Sequence, residues 1–533
     1  MEAVTSEYEC RTPEPTKDMK MIAQFHQPVT STSTAPSESR GARSRPPVGE
    51  TPTGLKSYPD LSPPSPLPSP LSCRSRVTQR RLPCLRGAAW RASLLFLAAI
   101  TADARTIWVA PDAKPTGDGS RSDPAQLPVA LQLANGPQGG TVNVMLLPGD
   151  YHVDPSDSRM TILRDGVRIQ GAGKVRSDDQ GRLDHLENGA VIHPTTASDG
   201  ALFTVLANDV HFTDLTLDTI IDTPNGPERL PFAICFGIDP LSGAVPPSNL
   251  TGCELRDCDV KGGWLFALLG VGADLTVQHC RVGGADAAIF SYAAAARPGA
   301  AFRSSQLVVV DTSVRPVEAF GTSFPTKWGV YCVADWVSTD PNDVFTGGGM
   351  EARVVGNRLD GLYGGIACAP HDTEYTPQGA WSLNLTAVNN RLVDCTHGLR
   401  VRTDEGKFMP SCSCACDAGT STVDIRIHLS GNSYGGTPVW TQNGTPRCWS
   451  TAEAAGFIDL ERRSYTGFGP EDMGCGTFAQ GVRLDLVDPA RELTQGGHRF
   501  LYNTGPNVFT VNGVAYSGTG DSSGAPAPCT PGQ

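Results

Sequence analysis

The sequence predicts an all-β protein whose chain coils into a parallel β-helix, a solenoid in which every turn adds new strands. The segment Val-Gly-Asn-Arg-Leu at 355–359 recurs as Val-Asn-Asn-Arg-Leu at 388–392, and each copy is followed by glycine and an aliphatic residue. A repeat with a period of about 20 to 50 residues is typical of solenoids. Short stretches of alternating polarity are separated by Gly, Asp and Asn, and long helical periodicity is absent. These observations favour stacked β-coils over helical or leucine-rich repeats.

Asparagine, cysteine or threonine recurs at the turn that this repeat defines, with leucine at its first position. The equivalent positions are Leu215, Cys258, Cys280, Thr312, Asn357, Asn390 and Asn432. Asparagine side chains stacked at the strand spacing of about 4.8 Å can hydrogen-bond along a ladder. Cys258 and Cys280 lie 22 residues apart, which is one short coil, and stacked cysteines satisfy the Cα separation of about 4.4–6.8 Å that a disulfide requires. We therefore predict that these two residues form either a disulfide or a stacked pair of thiols.

The chain divides into four predicted segments. They are a disordered extension rich in Pro, Ser and Thr (1–76), a signal peptide (77–104), the β-helix (105–510) and a disordered tail (511–533). The β-helix is predicted to begin with an N-terminal cap that contains a short helix over 125–134. Such a cap covers the apolar end of the first coil.

The predicted signal peptide combines several arginines, an apolar run at 92–100 and the sequence Ala-Asp-Ala at 102–104. Because signal peptides begin chains, we hypothesise that the true start lies near Val77 and that the first 76 residues are a misassigned extension. The alternative is an uncleaved anchor that holds the protein at a membrane, although the run is shorter than the roughly 20 residues that span a bilayer.

Composition restricts the partners and the compartment. Residues 105–533 carry 30 Lys and Arg against 46 Asp and Glu, a net charge of −16, which argues against nucleic acid as a partner. Thirteen of the 16 cysteines follow residue 104, a usage that favours an oxidising compartment and disulfides. We predict a secreted or cell-surface monomer.

The opening of the predicted β-helix resembles that of a known superfamily. Val-Ala-Pro-Asp at 109–112, Gly-Gly-Thr-Val at 139–142 and Leu-Pro-Gly-Asp-Tyr at 147–151, together with the Asn-x-Leu repeats, are similar to the right-handed parallel β-helix proteins typified by pectate lyases. The resemblance covers about residues 105–450. It implies a right-handed coil and a polysaccharide partner.

The same resemblance implies a lyase, hydrolase or epimerase of uronate-containing glycans. It also implies Ca²⁺ as a possible cofactor. The competing hypothesis is a non-catalytic β-helix that binds glycans or has a structural role. The Arg-x-Pro-x-x-Arg stretch of typical pectate lyases is missing, so the resemblance carries over no catalytic residue. The sequence therefore leaves open whether the protein is an enzyme.

Strand alternation places one set of polar residues on an outer face. If 330–332, 366–368 and 399–401 are equivalent strands, continuing their register aligns polar side chains at adjacent strand ends. The candidate catalytic residues are Asp335, His371, Arg402 and Asp404, and the candidate substrate-binding residues are Tyr331, Arg400 and Lys407. A histidine between carboxylates can transfer protons near neutral pH, and arginines can bind a sugar carboxylate bidentately. The alternative is that these residues are solvated charges on an outer face.

Overall fold

The computed structural model describes residues 104–137, 139–178, 181–246, 248–296, 303–334, 346–369, 379–395, 397–401, 422–435, 439–442, 445–448, 458–459, 482–489 and 508–515. Within these residues the chain forms a cap and nine successive coils, and each coil contributes one strand to each of three long sheets, A, B and C. The strands within each of these sheets are parallel, apart from short antiparallel additions to sheet A. The predicted right-handed parallel β-helix is confirmed.

The elements follow one another in a constant order. The cap contains β1 (Arg105–Val109) and α1 (Leu127–Ala134). Coils 1 to 3 contain β2 (Val142–Leu146), β3 (Gly149–Val153) and β4 (Thr161–Ile162), then β5 (Val167–Gln170), β6 (Lys174–Ser177), β7 (Leu183–Glu187), β8 (Ala190–Pro194) and β9 (Ala201–Val205), then β10 (His211–Thr213), β11 (Leu215–Asp218), β12 (Ile220–Thr223), β13 (Gly226–Arg229) and β14 (Phe232–Phe236). A short 3₁₀ helix (Ser158–Met160) precedes β4.

Coils 4 to 6 contain β15 (Leu250–Arg256), β16 (Asp259–Lys261) and β17 (Phe266–Val271), then β18 (Ala273–Gln278), β19 (Arg281–Gly283), β20 (Ala287–Tyr292) and β21 (Ala294–Ala296), then β22 (Ser305–Val310), β23 (Ser313–Val314), β24 (Val317–Ala319), β25 (Thr322–Phe324) and β26 (Trp328–Val333). Coils 7 to 9 contain β27 (Gly347–Val355), β28 (Arg358–Asp360) and β29 (Gly364–Ala369), then β30 (Ala380–Val388), β31 (Arg391–Val393) and β32 (His397–Val401), then β33 (Thr422–Ser430), β34 (Ser433–Gly435), β35 (Val439–Gln442), β36 (Thr445–Cys448) and β37 (Ile458–Asp459). The described chain ends with β38 (Val482–Val487), β39 (Val508–Val511) and β40 (Val514–Ala515).

In each coil the first strand belongs to sheet A, the second long-sheet strand to sheet B and the last to sheet C. The pairs β6–β7, β12–β13, β24–β25 and β35–β36 are antiparallel hairpins that leave the coil. The register confirms the predicted repeat, because Arg358 pairs with Arg391 and Val355 with Val388. The strands extend to Ala515, past the predicted end of the β-helix at residue 510.

Aliphatic side chains stack inside the coils and supply the core. One inward line of sheet A has a residue from each coil at 0–1 % exposure: Val144, Ile169, Phe212, Leu255, Val277, Val309, Val354, Ala387 and Leu429. Burying each large apolar side chain contributes about 1.5–3 kcal/mol. These segments are rich in β-branched residues and leucine, and they form strands because stacking of the coils buries the inward-facing side chains of each strand.

The cap covers the first coil as predicted. Helix α1 buries Leu127, Ala130, Leu131 and Ala134, which lie on one helical face. The side chain of Asn135, just after the helix, donates to the carbonyl of Thr161 and accepts from the N–H of Leu163. These bonds attach the helix to the first coil.

The turn between sheets A and B repeats one backbone conformation. Asp214, Asp257, His279, Asp311 and Asn389 all have a positive φ, between 48° and 58°, a region in which Asp, Asn and His are enriched. Each of these residues directly precedes a position of the predicted ladder. Asparagine side chains then connect neighbouring coils, with Asn390 Nδ2 donating to Asn432 Oδ1 at 2.9 Å. The predicted ladder is confirmed.

Seven cysteines lie in the part of the chain that the structure describes with side chains, and all seven are free and buried: Cys235, Cys253, Cys258, Cys280, Cys332, Cys368 and Cys395. Cys258 and Cys280 stack as thiols, and each donates to a backbone carbonyl, of Arg256 and Gln278 respectively, at 3.2 Å. The stacked-thiol alternative is therefore the one observed, and no disulfide is present among these seven residues.

The predicted extension (1–76) and nearly all of the predicted signal peptide (77–104) lie outside the described residues, so both stay predictions. Among the helices of the described residues, none is long and apolar enough to cross a membrane.

Candidate functional site

The predicted catalytic residues Asp335, His371, Arg402 and Asp404, and the predicted substrate-binding residue Lys407, lie outside the described residues. The backbone of Arg400 is described as part of β32, whereas its side chain is not. Tyr331 lies on β26 and is only 3 % exposed. Its role in substrate binding stays a prediction, and its burial weighs against direct contact with substrate.

The register on which these predictions depend is confirmed. Tyr331 pairs with Ala367, and Ala367 pairs with Arg400, across three adjacent strands of sheet C. At the C-terminal end of these strands, the N–H of Ala334 donates to the carbonyl of Ala369 at 2.9 Å. Ala334 and Ala369 therefore lie next to each other at one end of sheet C.

Sheet C differs from the other sheets because every residue of β9, β14, β17, β20, β26 and β29 is buried. Strands that are apolar on both faces indicate a sheet covered on both sides. Neither alternation of polar residues nor a solvent-facing line of charge is present on these six strands. The described part of sheet C therefore has no flat, charged outer face.

Aromatic rings form a continuous patch on sheet C, called here the aromatic patch. Its members are Phe232, Phe266, Phe290, Tyr292, Trp328, Tyr331 and Tyr363. Phe266 stacks on Phe290 with ring centroids 4.2 Å apart, and Phe290 meets Tyr331 edge to face at 4.7 Å. Trp328 stacks on Tyr331 at 5.4 Å. Such pairs stabilise beyond area burial by about 0.5–1.5 kcal/mol each.

The N-terminal edge of sheet C carries partly exposed aromatic and charged residues, called here the rim: Trp264, Asp286, Lys327 and Tyr363. Lys327 Nζ lies 3.7 Å from Asp286 Oδ1, with 29 % and 25 % of the two side chains exposed. Lys327 Nζ also lies 5.8 Å from the centre of the Trp328 ring, within cation–π range. The rim thus combines a cation, a carboxylate and two aromatic rings, one of which, Tyr363, also belongs to the aromatic patch.

A half-buried arginine lies close to the rim. Arg229, at the end of hairpin β12–β13, donates to the carbonyl of Gly284 and lies 4.9 Å over the Phe324 ring. Burial lowers the pKa of Arg229 to about 10, and the nearby carboxylate of Asp286 opposes that shift. Arg229 therefore adds positive charge beside Asp286 and Lys327, and the three together carry one excess positive charge in an otherwise acidic protein.

A second polar cluster lies where hairpin β6–β7 crosses the coils. His279 Nδ1 contacts the Asp257 carboxylate, and His279 Nε2 lies 2.6 Å from the carbonyl oxygen of Gly181. Arg281 donates to the carbonyl of Asp184 at 3.0 Å. Every partner in these contacts belongs to the hairpin or to the turn below it, so the cluster fastens the hairpin to the coils.

Beneath this hairpin, Asp259 is 3 % exposed. Burial raises the pKa of the Asp259 carboxyl, and Arg281 and Lys261 oppose that shift. Arg281 Nε and Asp259 Oδ1 are 3.6 Å apart, beyond hydrogen-bond distance. The described residues contain no group of three or more His, Cys, Asp or Glu that could hold a metal ion, and the Ca²⁺ prediction stays a prediction.

The aromatic patch and the rim were missed by reasoning from the sequence. The signal was present in the runs Phe-Ala-Leu-Leu-Gly-Val at β17 and Trp-Gly-Val-Tyr-Cys-Val at β26, which lack polar alternation. Applying strict alternation to such strands assigned Tyr331 to an open face. A continuous apolar run instead indicates burial on both faces.

Comparison with known proteins gives no family. No protein-family model matches the chain, and no curated protein matches it in sequence. Among solved structures, DFA-IIIase from Arthrobacter chlorophenolicus A6 without its lid is 14 % identical at a TM-score of 0.35, covering 76 % of this chain and 90 % of that one. A rhamnogalacturonan lyase is 9 % identical at a TM-score of 0.33, covering 68 % and 83 %. The A-module of a mannuronan C-5 epimerase from Azotobacter vinelandii is 14 % identical at 0.34, covering 76 % and 91 %. At these TM-scores the likenesses do not bear on the activity of this chain.

Proposed function

We propose that the protein is exported and that it binds and acts on a polysaccharide at the ends of the sheet C strands, as a lyase, hydrolase or epimerase of a uronate-containing glycan. The observation that carries the proposal is the rim, in which the exposed parts of Trp264 and Tyr363 flank the ion pair of Asp286 and Lys327. Aromatic faces pack against the apolar face of a sugar ring, and carboxylates accept hydrogen bonds from its hydroxyls.

Charge at the rim favours an acidic sugar over a neutral one. Lys327 and Arg229 place two cations beside a single carboxylate, Asp286. A sugar carboxylate bound there would cancel the one excess positive charge and would not leave the rim negatively charged. The strongly negative remainder of the protein would oppose binding elsewhere on the surface.

The chemistry is assigned to the opposite end of the same strands. Asp335, His371 and Asp404 would supply the acid and base for proton abstraction or for protonation of the leaving oxygen, and Arg402 would bind the sugar carboxylate. The adjacent strand ends at Ala334 and Ala369 support this arrangement. The rim and these residues would then contact the glycan at opposite ends of the same strands.

A second candidate is a non-catalytic protein that binds glycans. It is favoured by the described strands of sheet C, where outer positions such as Phe290 and Ala367 are apolar and carry no acid or base. Binding at the rim would then occur without turnover.

The deciding experiment assays the purified protein, with and without Ca²⁺, on uronate polymers including rhamnogalacturonan and mannuronan. Unsaturated products, new reducing ends and epimerised residues are measured beside binding. The variants are Asp335→Asn, Asp404→Asn and Lys327→Met, with the exposed Lys174→Met on β6 as the matched control. We expect loss of turnover in the first two, loss of affinity in the third and no change in the control. Binding without turnover selects the second candidate, and the absence of both overturns the proposal.

Export is tested separately by N-terminal sequencing of protein recovered outside the cell. Cleavage after the Ala-Asp-Ala sequence leaves Arg105 as the first residue. A mature end far from Arg105, or retention of the protein at the membrane, rules out the signal peptide.

A further inference from the structure

Hairpin β24–β25 has an aromatic residue at its tip. Val317 pairs with Phe324 and Ala319 with Thr322, so Phe320 and Gly321 form the two-residue turn. Both have positive φ, 50° and 71°. Turns with two positive φ values strongly prefer Asn-Gly or Asp-Gly, and a bulky residue in this conformation is an outlier.

Packing within the hairpin does not require Phe320. The inward side of the hairpin buries Val317 and Phe324 against Ile220 of the neighbouring hairpin β12–β13, with Phe324 at 7 % exposure. Phe320 is 58 % exposed. The described residues include only four large hydrophobic side chains that are exposed, and Phe320 is the one aromatic among them. The turn therefore keeps a strained aromatic residue that adds little to the core, a combination that indicates a functional constraint.

Polar side chains lie next to Phe320 on the hairpin. Glu318 and Ser323 are cross-strand partners, and both are exposed. Because they alternate with the buried pair Val317 and Phe324, they lie on the outer side of the hairpin. An aromatic ring beside a carboxylate and a hydroxyl supplies a stacking surface and hydrogen-bonding groups at one place.

We propose that Phe320, with Glu318 and Ser323, forms a subsite that stacks against a sugar ring of the bound glycan. The hairpin lies between β23 and β26 and rejoins the coil just before Lys327, so it stands at the rim edge of sheet C. Its buried Phe324 contacts Arg229, which lies beside Asp286. This inference rests on the proposed function, because it extends the same glycan site beyond the rim.

The test is the substitution Phe320→Asn, which installs the residue that this turn prefers. The midpoint of thermal unfolding should rise, because the strain at φ 50° is relieved. Affinity for the glycan identified in the binding panel should fall about tenfold, because the stacking surface is lost. Phe320→Trp should keep the wild-type affinity. Leu241→Asn, at another exposed apolar residue (51 % exposed), is the matched control and should bind as the wild type does.

The outcomes separate the two proposals. A wild-type protein that binds no glycan overturns the proposed function and this subsite together. A wild-type protein that binds, with Phe320→Asn binding equally well, overturns the subsite and leaves the proposed function standing. A weaker Phe320→Asn variant with raised or equal thermal stability supports the subsite, since loss of fold then cannot explain the loss of affinity.

Discussion

Nδ2 of Asn357 donates a hydrogen bond to Oδ1 of Asn390 at 3.0 Å, although the two residues are 33 positions apart in the chain. The same oxygen accepts the backbone N–H of Asn357, also at 3.0 Å. Nδ2 of Asn390 donates in turn to the carbonyl of Val354 at 2.8 Å. The buried side-chain amide of Asn390 therefore forms hydrogen bonds with backbone groups of the preceding coil. The repeated asparagine at this turn thus has a structural role.

Asn390→Ala should destabilise the β-helix by about 3 kcal/mol. The substitution leaves the N–H of Asn357 and the carbonyl of Val354 buried without their side-chain partner, and each such group costs about 1–3 kcal/mol. Chemical unfolding followed by circular dichroism measures the loss. Asn225→Ala, at the exposed tip of hairpin β12–β13, is the control and should have little effect. Equal stability of both variants would show that the ladder contributes no net stabilisation.

Gly364→Ala should displace Trp328 and destabilise the protein by about 1–3 kcal/mol. A Cβ at Gly364 would lie 2.2 Å from Cζ3 of the Trp328 ring, which cannot move freely because Trp328 is 2 % exposed. Gly435→Ala is the matched control, since a Cβ there meets no atom within 4 Å. Thermal unfolding and the near-ultraviolet signal of tryptophan report the effect. An unchanged tryptophan signal would contradict the close packing of the aromatic patch.

His279→Ala should loosen hairpin β6–β7. The ring of His279 connects the Asp257 carboxylate to the Gly181 carbonyl, so its removal deletes one of the contacts that hold the hairpin to the coils. Hydrogen exchange measured by mass spectrometry should show faster uptake in peptides that cover 174–187. His211→Ala is the control, because His211 contacts the carboxylates of Asp209 and Glu254 and not the hairpin. Identical uptake in both variants would assign the attachment to the arginine contacts alone.

Buried thiols should make the protein less stable as the pH rises. Burial raises the pKa of Cys253 and of Cys395 to about 12. Because the unfolded chain ionises near the ordinary thiol pKa, it binds fewer protons than the folded chain above about pH 8.5. The contribution of these two thiols to the free energy of unfolding is therefore fully present below that pH, and it decreases as the pH rises toward 12.

The same burial predicts that these thiols do not react in the folded protein. Iodoacetamide at pH 8 should leave peptides with Cys253 and Cys395 unmodified, and it should label both after denaturation, since the thiolate is the reactive form. Peptide mass spectrometry measures the labelling. Rapid labelling of the folded protein would show that these coils open to solvent.

Much of the fold could be predicted because it depends on local signals. The 33-residue repeat, the alternating strands of sheet A and the residues with positive φ before each ladder position are all properties of short stretches. The pairing of Tyr331, Ala367 and Arg400 followed from the same repeat. Stacking of Cys258 on Cys280 was predicted, and the thiols favoured over a disulfide are the form observed, although spacing alone satisfies both.

The candidate site was harder to predict because exposure is a property of the whole molecule. Alternation correctly paired Tyr331 with its neighbours, but it could not show that the outer face of sheet C is buried. Arg229, Asp286 and Lys327 come together at the rim edge of sheet C from three different coils, and no local pattern relates their positions.

The sequence by itself determined that this chain is a parallel β-helix with a capped end, a repeated turn and an asparagine ladder, because each coil is specified by residues close together in the chain. Only the tertiary structure decided which faces of the coils meet water, that most of the aromatic patch is buried and that the hairpins at the edge of sheet C contact each other. Those outcomes depend on where each hairpin or loop that leaves the coil packs. Packing joins residues whose separation in sequence carries no periodic signal.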